Sequence, residues 1–207
     1  KFEKISPELM KRHTTVKKFS ATDVKAVAKS DLSLRYDEKG YLGTNVSGGS
    51  EIMKVSPYDR ILYVRNNGMY TVTDVPEKLF IDKGMWFCQL AEKEKINPIL
   101  FTIIFRDPES HLVSIKRCRI ASWIMNRDYF FAPDKMEVLH IDTREKFSFT
   151  LCYENKTRGK SEEKFQASKF EEKGLKTLGV RISPRAVESI KVENPKTQQE
   201  LFQGAEN

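Results

Sequence analysis

The sequence predicts an all-β chain of about four copies of one four-stranded unit, and three observations carry that prediction. First, two hairpins of one kind lie between Leu32 and Val75: LSLRYDEKGYLGTNV and RILYVRNNGMYTVTDV. In each, an alternating strand (Leu32, Leu34, Tyr36; Ile61, Tyr63, with Arg65 beyond) meets a polar turn ending in Gly40 or Gly68. An aromatic-bearing strand then returns through Tyr41 and Val46, or through Tyr70, Val72 and Val75. Strand side chains alternate faces and glycine tolerates the positive φ of a tight reversal, so this pattern reads as a β-hairpin with one buried face. Second, the device recurs twice. Leu100 to Phe105 precede an Asp107-Pro108 turn with Leu112, Val113 and Ile115 after it, and Phe147, Phe149 and Leu151 precede a long charged turn with Phe165 and Phe170 after it. Third, further strand-like runs such as EIMKV, GMWFCQL and MEVLHI trail the hairpins. A unit that cannot bury its own face stacks on its neighbours, which is repeat architecture. A single antiparallel barrel or sandwich also alternates, and the recurrence of the hairpin is what favours repeats.

In chain order, residues 1–30 form a polar, basic lead-in whose apolar positions are too sparse for a stable amphipathic helix, although Ser6 and Pro7 suit the start of a short one. This segment reads as a connector or a docking segment. From Asp31 the β pattern runs to about Ile190, giving a domain over 31–192, with turns at Gly48-Gly49, Pro57 to Asp59, Pro76, Asp82 to Gly84, Pro98, Pro133-Asp134 and Gly174. The hairpins are expected to begin near Leu32, Ile61, Leu100 and Lys146. Pro76 to Phe80 and Glu92 to Ile96 are expected as single helical turns, and Trp86 and Trp123 as packing between units. Residues 193–207 read as a polar tail.

Composition narrows the function classes. The chain has 207 residues, 39% apolar and 11% aromatic, enough to bury a core. No run approaches the roughly 18 to 20 apolar residues of a membrane span, and the N-terminal KFEKISPEL has no signal-peptide core, so a soluble, cytoplasmic chain is expected. Three cysteines far apart, with no CxxC, argue against a disulfide framework or a zinc site. The sequons at Asn45 and Asn155 read as chance.

The net charge of +7 and a pI near 9.2 favour a polyanionic partner once the charge is seen to cluster. Lysines crowd residues 1–30. Lys116, Arg117, Arg119 and then Arg127 run without an acid among them, whereas the fourth turn mixes Lys156, Arg158, Lys160 and Lys164 with Glu154, Glu162 and Glu163. Catalytic constellations are not found in the sequence. The three histidines, His13, His111 and His140, have no metal-ligand spacing, and there is no phosphate-cradling glycine loop or nucleophile elbow.

LRYDEKGYLGTNV, DRILYVRNNGMYTVTDV and the IKRCRI strand resemble the C-terminal domain of the A subunit of bacterial type II topoisomerases, DNA gyrase and topoisomerase IV, over roughly Asp31 to Ile190. The resemblance implies a β-pinwheel, a propeller-like and possibly open ring of four-stranded blades whose basic rim binds and bends duplex DNA. It also implies that residues 1–30 lead from the breakage-reunion core. The family's cleaving tyrosine follows an arginine in that core. Arg35-Tyr36 repeats the order but lies within an alternating strand and reads as structural, so this fragment is expected to be non-catalytic. ATP and Mg are expected elsewhere in the holoenzyme, with no cofactor here. The implied partners are duplex DNA and, through the absent core, the B subunit. The core dimerises and this domain is expected to be monomeric, nucleoid-associated and away from membranes.

The chain departs from gyrase in one loop. Gyrase carries a basic, Gly-rich box after its first hairpin, and here that loop is Val46 to Glu51 with no arginine, lysine or glutamine. Four hairpins also fall short of the larger blade number common in gyrase. The resemblance therefore leans towards relaxation or decatenation rather than supercoiling. The residues assigned to DNA are Arg35, Lys39, Arg65, Lys116, Arg117, Arg119, Arg127, Lys156, Arg158, Lys160 and Lys164, and if the strand bearing Lys116 to Arg119 is the outer one of its blade, all three of its cations can approach a curved duplex. A propeller-type protein-interaction module, basic only for solubility, is the reading from another class.

Overall fold

A computed structural model describes residues 32–154 and 161–194. The connector at 1–30, nearly all of the tail and three assigned cations, Lys156, Arg158 and Lys160, lie outside those residues. The described chain is all-β apart from one short helix, α1 (Lys93–Ile96), and a 3-10 turn at Ala167–Lys169.

Four hairpins form in order: β1 (Leu32–Tyr36) with β2 (Tyr41–Gly43), β4 (Arg60–Arg65) with β5 (Met69–Asp74), β8 (Phe101–Arg106) with β9 (Val113–Cys118), and β12 (Ser148–Tyr153) with β13 (Glu162–Gln166). Gly40 and Gly68 close the first two turns at φ of 90° and 76°, a region open to glycine at no steric cost. The strand that follows each hairpin pairs with its first member: β3 (Ser50–Val55) with β1, β7 (Met85–Leu90) with β4, β11 (Glu137–Asp142) with β8, and β15 (Val187–Val192) with β12. The second member of a hairpin is paired from further away. β6 (Leu79–Phe80) adds to β2, β10 (Asp128–Phe130) to β5 and β14 (Val180–Arg181) to β9, each supplied by chain that has already passed through the next hairpin. Neighbouring sheets are thus threaded through one another.

The result is three four-stranded antiparallel sheets and one three-stranded sheet, β13-β12-β15. The fourth blade is a strand short of expectation because the place beside β13 is filled elsewhere by chain beyond a following hairpin, and no such hairpin follows among the described residues. Blades stack face to face. Leu34, Leu42 and Ile52 of the first meet Ile61, Tyr63 and Met85 of the second. Leu62, Val64 and Tyr70 of the second meet Phe101, Ile103 and Phe105 of the third, with Trp86 and Trp123 partly buried against them. Ile104 and Ile115 of the third meet Phe149 and Leu151 of the fourth. Among the described residues no core cluster joins the fourth blade to the first, so the array is an open pinwheel.

Stacking also corrects the expectation of one buried face. In β4 every residue from Ile61 to Arg65 is buried, with Ile61 and Tyr63 turning to the first blade and Leu62 and Val64 to the third. An interior blade has neighbours on both sides, and burying one such apolar side chain is worth about 1.5 to 3 kcal/mol. Glu92 to Ile96 does make a helical turn, as expected. Pro76 to Phe80 does not, because Leu79 and Phe80 are claimed by the β2 ladder.

Candidate nucleic-acid interface

The acid-free run that drew attention in the sequence is mostly internal. β9 lies between β8 and β14, so it is not the outer strand of its blade. Lys116 is 4% exposed and its Nζ donates to the carbonyls of Phe131, at 2.8 Å, and Leu175. Burial lowers its pKa from the usual lysine value. Arg117 is 6% exposed, and its Nη1 and Nη2 donate to the carbonyls of Phe170 and Glu145 at 2.9 and 2.8 Å. Both cations are spent on backbone oxygens between strands and loops, which withdraws them from a solvent-facing rim. Arg119 reaches the surface, but its Nε donates to Glu172 Oε2 at 3.0 Å and its Nη1 donates to the Pro98 carbonyl.

Arg65 is also structural. It is buried, with Nε 3.0 Å from Asp82 Oδ1, Nη1 donating to Asp128 Oδ1 at 3.3 Å and Nη2 to the Tyr63 hydroxyl at 3.3 Å. It ties the chain leaving β6 to β10. Arg35 is half-buried opposite Glu51 in the β1–β3 ladder, and exposed Lys164 pairs with Glu193.

Two assigned cations remain exposed without an ion-pair partner among the described residues: Lys39 and Arg127. The structure adds three that the sequence reading missed. Lys78 shares an open groove with Lys39, and its Nζ stands 4.5 Å from the centre of the Tyr41 ring. Lys173 and Lys176 line a larger open groove, about 1450 Å³, with Arg127, whose guanidinium lies 5.5 Å from the Tyr129 ring centre. Trp123 and Phe130 supply its apolar wall. These five cations lie in, beside or just before β6, β10 and β14, the borrowed strands of three successive blades, or in a turn next to one. Lys78 follows Glu77, and Lys173 and Lys176 follow Glu171 and Glu172, so none of the three stood out as an acid-free run in the sequence.

A family model described as the topoisomerase C-terminal domain of Bacteroidota matches residues 33–194. The chain belongs to this topoisomerase C-terminal domain family. It is also 24% identical, over 87% of its length, to the A subunit of DNA topoisomerase 4 from Borreliella burgdorferi, and spans 28% of that relative. No solved structure matches the chain.

In this topoisomerase C-terminal domain the remaining polar chemistry is structural. His140 Nε2 lies 3.3 Å from Asp142 Oδ2, and Arg144 reaches from Asp142 Oδ2, at 2.6 Å, to the Asn194 carbonyl, at 2.6 Å. Burial works to raise the Asp142 pKa, but the hydrogen bonds from His140 and Arg144 and the Arg144 charge outweigh it and hold the carboxyl at about 2. Arg106, also missed in the sequence, grips Glu137 and donates to the carbonyls of Val187 and Glu188, tying the third blade to the fourth. No cluster of three or more metal-ligating side chains occurs among the described residues. In the loop at 46–51, which carries no arginine or lysine, Gly48 and Gly49 stand at positive φ.

Proposed function

We propose that this chain is the DNA-holding domain of a type II topoisomerase A subunit: it binds duplex DNA without sequence preference and bends it, presenting a segment for strand passage. What supports this reading above all is the recurrence of cations with no ion-pair partner among the described residues, Lys39 and Lys78, then Arg127, then Lys173 and Lys176, beside the borrowed strand of three successive blades. Duplex DNA is a dense line of negative charge, and a row of cations releases its condensed counterions, which favours binding whatever the sequence. Bending a site of 20 to 30 base pairs costs about 1 to 6 kcal/mol, which several phosphate contacts offset. The Borreliella relative is part of a topoisomerase, which fits the same role. In the whole enzyme, an isomerase working in the cytoplasm at the nucleoid, ATP and Mg act elsewhere, the core supplies the dimer contact and the contact to the B subunit, and this domain is monomeric and makes no bond-breaking contribution. Without a basic box the enzyme relaxes and decatenates rather than supercoils.

The test is duplex binding at two salt concentrations. Affinity falls steeply with salt, and each phosphate contact removed by Lys78→Ala, Arg127→Ala or Lys176→Ala lowers the slope of log K against log salt by about 0.9, equally for all sequences. A parent domain without duplex affinity even at low salt is instead a protein-interaction module.

A further inference from the structure

Two exposed phenylalanines hold the same register in successive blades. Phe80 pairs with Tyr41 across β6 and β2, and Phe130 pairs with Met69 across β10 and β5. Tyr41 and Met69 each begin the return strand of a hairpin, directly after Gly40 or Gly68. The neighbours match as well. Leu79 and Tyr129, one residue earlier, pack against the inter-blade cores. Ile81 and Phe131, one residue later, are buried, and each donates its N–H to the carbonyl of the turn glycine, at 2.8 Å to Gly40 and 3.0 Å to Gly68. Anchored on both sides, the two rings stand in solvent at 57% and 53% exposure. Each has a cation close by in sequence, Lys78 or Arg127, held over a tyrosine. The third blade has no phenylalanine there, but Leu178, just before β14, is 75% exposed and follows Lys176 by two residues.

A single exposed apolar side chain asks for no explanation, whereas an aromatic ring kept in water at one register of successive repeats does. A ligand that meets the same position on each blade must itself recur from blade to blade. A duplex does so, and its alternation of phosphates with an apolar sugar wall and base edges matches a cation beside a ring. The cations disfavour a neutral or basic protein surface. Side chains of this kind act on duplexes by entering the minor groove and partly unstacking a base step, which kinks the helix.

We propose that Phe80 and Phe130 are paired wedges that press into the minor groove of the bound duplex at two points one blade apart and so set its bend, a mode of contact that rests on the DNA-holding role proposed above. Binding then divides in two. The cations set affinity and its salt dependence, and the rings set the shape of the DNA.

The experiment uses the full chain and a duplex of about 40 base pairs, within the bending persistence length, carrying a fluorophore at each end and 2-aminopurine at interior steps. The parent brings the ends together and brightens 2-aminopurine as steps unstack. The Phe80→Ser, Phe130→Ser double variant is expected to keep the parent's salt slope, lose most of the end-to-end approach and the brightening, and bind about tenfold more weakly. Phe80→Met with Phe130→Met restores the bend, because methionine also serves as a wedge, and this separates wedging from any effect on folding. If the parent binds and bends DNA and the serine variant bends it equally, the wedges are disproved while the DNA role stands. If the parent fails to bind duplex at low salt, both fall.

Discussion

Arg117 shows how a residue's surroundings reverse its meaning. An arginine in an acid-free basic run suggests a phosphate contact, yet the Arg117 guanidinium, 6% exposed, holds two backbone carbonyls. Arg117→Ala is therefore expected to cost about 3 kcal/mol of stability, read from urea unfolding, and to leave the salt slope of DNA binding at the parent value in the molecules that remain folded. Asp142 makes a second prediction. Its carboxyl, held at about 2 in the fold, ionises nearer 3.9 when the chain unfolds, so it stabilises the fold at every pH above that unfolded value. That contribution, about 2 kcal/mol, is lost as pH falls from about 4 to about 2. Asp142→Asn should lower stability at neutral pH and flatten its decline over that interval. An unchanged acid limb in the variant would assign the pH dependence to other carboxylates. The Arg117 environment was not legible in the sequence, because the carbonyls of Phe170 and Glu145 arrive from far along the chain, whereas the Asp142 partners, His140 and Arg144, lie two residues to either side.

The hairpins were the most legible elements. Alternation and a terminal glycine are local signals, and β1, β4, β8 and β12 begin within two residues of the expected starts. The borrowed strands were the least legible. β6, β10 and β14 have two, three and two residues, too few to show a period, and they are extended only because a return strand offers unpaired N–H and C=O groups. Of the candidate DNA-contacting cations, Lys39 and Arg127 were assigned from the sequence, whereas Lys78, Lys173 and Lys176, which precede two of these strands, were hidden for the same reason. Gly68 tests the turn that both kinds of strand depend on. It sits at φ of 76°, and a Cβ there would come 2.9 Å from Val138 Cγ2. Gly68→Val is thus expected to cost at least about 1 kcal/mol of backbone strain before any clash is counted. Thermal unfolding checks it, and a variant that melts with the parent would reject the turn geometry.

For the molecule as a whole, fold class and repeat number were readable because every copy had to present strand periodicity, whereas the order of strands within a sheet was not, since no local pattern records which distant segment completes a ladder. The proposed activity is tested at this scale through the loop at 46–51. An enzyme carrying this domain should relax and decatenate plasmid DNA with ATP while introducing few negative supercoils, as gel mobility of relaxed plasmid would show. Efficient supercoiling would mean that another surface replaces the missing basic loop. The threading of the sheets has a further consequence, for a chain that is cut. A break between β3 and β4 parts β6 from the rest of its sheet, one between β7 and β8 parts β10 from β5, and one between β11 and β12 parts β14 from β9. Each break leaves a strand of one piece hydrogen-bonded to the edge of a sheet of the other. A protease that nicks any of these connections produces two fragments on a denaturing gel and one particle in solution, and only melting of a sheet releases them.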